Sequence, residues 1–145
     1  MKVLFLPHHF KLLTIVTIAV TFTLSGCGNK KITSCNLTQE IYTELTNNVN
    51  QYINSENPQD VAKVGDVFIQ AQEKLSANGI KDENLSPLTQ KLGEIYRQYN
   101  QVTNQYLSAY EARDREEIIQ SKQQLNQLFQ EQKEVIQEIN SYCVN

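Results

Sequence analysis

Tryptophan is absent, histidine stops at His9, and no two of the five glycines are adjacent along the 145-residue chain. Isolated glycines cannot build a loop whose successive N–H groups cradle phosphate, so nucleotide binding through such a loop is excluded. Beyond His9 no Ser-His-Asp or Cys-His relay, no His-ligated zinc site and no Glu-x-x-His di-iron helix can be assembled. The expectation is a non-enzymatic chain with no cofactor and no metal. Basic residues are also scarce: after residue 26, eleven Lys and Arg face sixteen Asp and Glu, a net charge of −5. A nucleic-acid binder replaces phosphate counterions with a basic face, and this balance argues against one.

What is present begins with the leader. Lys2 and Lys11 flank His8 and His9, and the thirteen residues Leu12 to Leu24 form an apolar run. That length suits the core of a signal peptide. It falls short of the about 20 apolar residues that cross a bilayer. The run closes on Leu24-Ser25-Gly26-Cys27, small residues ahead of a thiol.

On these four residues the chain resembles bacterial lipoproteins, whose lipobox it matches at every position. The resemblance covers the leader alone. It implies that the Cys27 thiol is diacylated, with palmitate among the expected chains, and that the signal is cut before Cys27 and the new amine acylated. Two or three acyl chains hold a protein stably on a membrane. The implied organisation is a signal peptide over 1–26, a polar lipid-anchored tether over 27–36 and a helical domain over 37–143. The implied location is the cell envelope, facing the periplasm or another extracytoplasmic space. An ordinary secretory signal or an uncleaved anchor is the alternative reading of the same residues.

Helical spacing governs the remainder. Leu37, Ile41, Leu45, Val49, Tyr52 and Ile53 mark a first helix to about Asn54, and Asn57-Pro58 opens a second. Val61, Val64, Phe68, Ala71 and Leu75 give the second its apolar stripe, Asn78-Gly79 closes it, and Gly65 weakens its middle by about 1 kcal/mol relative to Ala. After a polar connection from Ile80 to Leu85, Ser86-Pro87 opens a third helix. Its residues Leu88, Leu92, Ile95, Tyr99, Val102, Tyr106 and Ala109 recur at alternating four and three, a coiled-coil seam. Asp114 with Glu117 is a capping-box-like start for a fourth helix, carrying Ile118, Leu125, Leu128, Val135, Ile139 and Tyr142. Gln and Asn number 30; interleaved with this apolar spacing, they read as solvated helix faces rather than a low-complexity tract.

The cysteines select a topology. With Cys27 acylated, Cys35 and Cys143 are an even pair in an exported domain, which reads as a disulfide. In an all-α, antiparallel up-down four-helix bundle the start of the first helix and the end of the fourth share one end. Three helices would put the pair at opposite ends. Closing a loop of this length stabilises by about 4–5 kcal/mol in the chain-entropy model.

Two clusters remain. Glu131, Glu134 and Glu138 share a helix face at the spacing of a solvated surface, with Lys133 adjacent. Tyr96 and Tyr110 flank the third helix's seam and are candidate interaction residues, because tyrosine combines area, low entropy cost and a hydroxyl; the alternative is that these rings fill the edge of the bundle. The expected function is therefore a non-catalytic envelope lipoprotein that contacts a protein partner or serves as an accessory subunit. A binding module for a small or lipidic ligand between the helices is the alternative. In size, lipobox and helix number the chain also resembles the small helical-bundle lipoproteins on the lumenal side of cyanobacterial photosystem II, which implies an accessory role there.

Overall fold

The computed structural model describes residues 30–52, 58–77 and 79–145. The expected signal peptide over 1–26 and the lipidation candidate Cys27 lie outside the described residues. Among the described residues there are four helices: α1 Lys30–Tyr52, α2 Pro58–Ala77, α3 Leu85–Ala112 and α4 Arg115–Val144. The fold is all-α, an antiparallel up-down four-helix bundle.

Cross-helix pairs fix the register. Lys63 lies over the Tyr52 ring, and Lys74 pairs with Glu44 further along, so α1 and α2 run antiparallel. Asp82 with Tyr142 and Tyr106 with Lys122 do the same for α3 and α4. The middle element in packing is α3, set against α2 and α4, while α1 rests mainly on α2. Glycines explain the close α2–α3 approach. A Cβ on Gly65 would sit 3.0 Å from the Asn100 amide nitrogen and 3.6 Å from the Asn100 Cα. At Gly65 the helix thus gives up local propensity for a close backbone contact.

The core follows the apolar stripes. Ile41, Leu45 and Val49 from α1 meet Val67, Phe68, Ala71 and Leu75 from α2 in a cluster that α3 and α4 complete through Leu92, Ile95, Leu128 and Val135. Phe68 stacks on Tyr99 with centroids 4.3 Å apart and meets Tyr96 at a tilt, 5.5 Å away. Tertiary burial of this kind, rather than helix propensity, supplies most of the stability of such helices.

Three boundaries differ from the sequence reading. First, α1 begins at Lys30, so the expected polar tether over 27–36 is largely helix. Ser34 and Cys35, expected in the tether, are buried instead, and the Thr38 hydroxyl, in the next turn, donates to the Ser34 carbonyl. Second, α3 begins at Leu85, which is fully buried rather than part of a polar connection. The cap is Asp82, whose Oδ1 accepts from the N–H groups of Asn84 and Leu85.

Third, the α3–α4 turn forms without glycine. Arg113 adopts φ 58°, its N–H reaching the Tyr110 carbonyl, while the Asp114 N–H reaches Ala109. That is a Schellman closure with arginine in the left-handed position. Asp114 then caps α4 by accepting from Glu116 and Glu117 N–H groups. The reciprocal half of a capping box is not made, because the Asp114 N–H is already committed to Ala109. Glu116 and Glu117 in the first turn complement the helix dipole.

Candidate functional site

Two ends of the bundle carry the residues of interest. At one end Cys35 and Cys143 form a disulfide with Cα atoms 5.9 Å apart, covalently joining α1 to α4. Beside it the Tyr142 hydroxyl donates to the Asp82 carboxylate, 2.9 Å from Oδ1 and 3.0 Å from Oδ2. Lys31 lies 4.6 Å above the Tyr142 ring. Three segments distant in sequence are therefore tied at this end: the first turns of α1, the α2–α3 connection and the last turn of α4. The backbone N–H of Leu85, with the Tyr142 hydroxyl, the Asn84 N–H and the Lys31 charge, holds the Asp82 carboxyl below its ordinary value.

At the opposite end, the α3–α4 hairpin carries an aromatic pair. Tyr106 and Tyr110, one turn apart, stack with centroids 6.4 Å apart, and Lys122 lies 5.8 Å from the Tyr106 centroid. Burial, with the neighbouring Tyr110, pushes the Tyr106 phenol up. Because Tyr106 faces Lys122, the antiparallel register brings Tyr110 level with the second turn of α4, near Ile118 and Ile119. Tyr110 is 40% exposed and Ile119 57%. The candidate residue Tyr110 is thus at the surface, and the same tip exposes Ile119 of α4.

Tyr96 is a correction. It is fully buried and cannot contribute to an interaction surface. Its ring packs against Phe68, and burial pushes its phenol well up, with Tyr42 and Tyr99 nearby adding to the effect. The hydroxyls of Tyr96 and Tyr99 and the Ser121 Oγ are buried without hydrogen-bond partners. The i−3 position relative to Tyr99 lies inside the wide apolar face of a helix packed on both sides, so a stripe drawn at strict seam positions is too narrow to include Tyr96.

Glu131, Glu134 and Glu138 are all exposed along α4. Among the described residues no group of three or more His, Cys, Asp or Glu is arranged to hold a metal ion, and no helix is long and apolar enough to cross a membrane. Between α2 and α3 lies an open groove of about 370 Å³, with Leu75, Ile80 and Gly93 among its lining and Arg97 at its edge. Arg97 donates to Glu94 through Nε at 2.9 Å. Hydrogen bonds from Arg97 and then Gln98 hold the Glu94 carboxyl down at about 2. The groove is therefore rimmed by an ion pair already satisfied within its own helix.

No family model, no curated protein and no solved structure matches this chain. Fold and geometry define it as a disulfide-clasped four-helix bundle with apolar residues exposed at both ends.

Proposed function

We propose that this chain is a lipid-anchored lipoprotein of the bacterial cell envelope, without catalytic activity, that presents the α3–α4 tip to a protein partner as an accessory subunit. The observation that carries the reading is the arrangement of the two ends. Cys27 of the lipobox lies three residues before Lys30, where α1 starts, and α1 starts at the clasped end. Tyr110 and Ile119 sit at the other. A bundle held by its clasped end offers its exposed aromatic and aliphatic side chains outward, which is the composition of an interface centre. The Cys35–Cys143 bond suits an oxidising extracytoplasmic compartment.

A photo-crosslinker placed at Tyr110 or Ile119 and activated in native membranes tests this. One recurring adduct, recovered in stoichiometric amount by pull-down, is the expected result. Repeated recovery of the lipoprotein alone counts against it. A second reading, a module for a small or lipidic ligand, draws on the α2–α3 groove, whose volume lies within the range of ligand pockets. Native mass spectrometry that retains a bound small molecule would favour that reading over the tip.

A further inference from the structure

The large hydrophobic side chains exposed among the described residues are Ile32, Tyr110, Ile119 and Val144. They divide evenly between the two ends. Ile32 lies one turn before Cys35 on α1, and Val144 directly follows Cys143 on α4. Since α1 runs away from the clasped end and α4 runs into it, both side chains stand on the outer side of the disulfide. They are 39% and 67% exposed, respectively.

From this pair we infer that the clasped end is itself a membrane-seating surface, with Ile32 and Val144 entering the lipid interface and the bundle standing end-on. The inference rests on the lipid-anchor reading and adds a second contact to it. The length of the tether is decisive. A ten-residue tether would let the bundle drift about 35 Å from the bilayer at 3.3–3.6 Å per residue, whereas three residues reach only about 10 Å. With α1 helical from Lys30, the acylated Cys27 is close enough that the first turn of α1 meets the headgroups.

Charge selects the same end. The sequence after residue 26 carries a net −5, so an anionic leaflet repels most of its surface. At the clasped end three lysines, Lys30, Lys31 and Lys81, stand against two acids, Asp82 and Glu83, so this end is less repelled than the chain as a whole. Lys30 and Lys81 are exposed; Lys31 lies over Tyr142, its stem flanking the site. Lysines beside apolar side chains at a water–lipid boundary keep their charge among headgroups while their stems stay in the apolar layer. The 28 residues of α3 then place the Tyr110–Ile119 tip about 40 Å from the bilayer.

The absence of tryptophan makes a direct test possible, since a single introduced indole is then the only one emitting. Mature protein purified from membranes and carrying Ile32→Trp, Val144→Trp or Ile119→Trp is reconstituted in phosphatidylcholine–phosphatidylglycerol vesicles, with or without brominated acyl chains. Brominated lipid should quench the Ile32→Trp and Val144→Trp proteins severalfold more than the Ile119→Trp protein. Equal quenching of all three would mean that the bundle lies flat and would overturn the end-on seating. If the protein floats with vesicles but no reporter is quenched, the anchor reading survives and the seating is wrong. Blue-shifted emission without quenching would assign the clasped end to a protein contact, again overturning it. A protein that fails to float with vesicles removes the anchor reading and the seating together.

Discussion

Tyr142 and Asp82, sixty residues apart in sequence, meet through a hydroxyl that donates to both carboxylate oxygens. The same carboxylate caps α3 through Asn84 and Leu85, and Tyr142 neighbours the disulfide cysteine. One acidic group thus coordinates the start of α3 with the end of α4.

Its depressed titration gives a pH dependence of definite sign. Asp82 is held below the usual 3.8 in the folded protein, so the unfolded chain binds its proton more readily. The stabilisation is fully present above about pH 4, the unfolded range of an aspartate, and is lost as pH falls through the lower folded value. Thermal melts between pH 7 and 3 should show stability falling at the acid end, and Asp82→Asn should lower Tm at neutral pH while flattening that acid slope. An unchanged slope in the variant would remove Asp82 from this role.

Reduction tests the clasp. The disulfide spans 108 residues of sequence, and its loss should lower unfolding stability by about 4–5 kcal/mol in the chain-entropy model. Urea melts of a Cys35→Ser/Cys143→Ser double variant should show a midpoint well below that of the oxidised protein. Since α1 makes only small contacts with α4, hydrogen exchange in the variant should rise first in the N-terminal turns of α1.

The two helical glycines in the α2–α3 contact should respond in opposite directions. A Cβ at Gly93 would meet only the Gln72 Cγ at 3.7 Å, an ordinary contact, so Gly93→Ala should gain about 0.5–1 kcal/mol from helix propensity. At Gly65 the neighbouring atoms include the α3 backbone, and Gly65→Val should cost about 1–3 kcal/mol by overpacking. Chemical denaturation of the two variants checks the contrast.

Tyr96 and Tyr110 separate core from surface. Tyr96→Ala should cost about 3–5 kcal/mol, as for other large aromatic truncations in a core. Tyr96→Phe should be neutral or stabilising, because it removes a buried hydroxyl that has no partner. Tyr110→Ala should change stability by less than about 0.5 kcal/mol while weakening capture of the partner in the crosslinking experiment. A Tyr96→Phe variant markedly less stable than the parent would show that its hydroxyl is bonded after all.

The four helices, their order and the cysteine pair were legible because each rests on a local pattern: apolar spacing, Pro58, Gly79, and two thiols left once Cys27 is set aside. Gly65 was legible as a weakness, but the close contact it makes with Asn100 is tertiary and leaves no local trace. The start of α1 was misplaced because Lys30 to Ser34 carries no apolar stripe; the burial of Ser34 is tertiary, and sequence spacing does not encode it. Tyr96 was misplaced because α3 is covered on two sides, so residues beside its seam are as buried as those on it. Ile32 and Val144 gave no signal for a related reason: single apolar residues at helix ends gain meaning only when two ends are brought together.

The most direct test of the account is intact mass spectrometry of the mature protein purified from membranes, run with and without reductant. The expected chain begins at Cys27, is heavier than its sequence by two or three acyl chains, and gains the mass of two hydrogens on reduction as the Cys35–Cys143 bond opens. A chain that retains residues 1–26, or one with an unmodified Cys27, would contradict it.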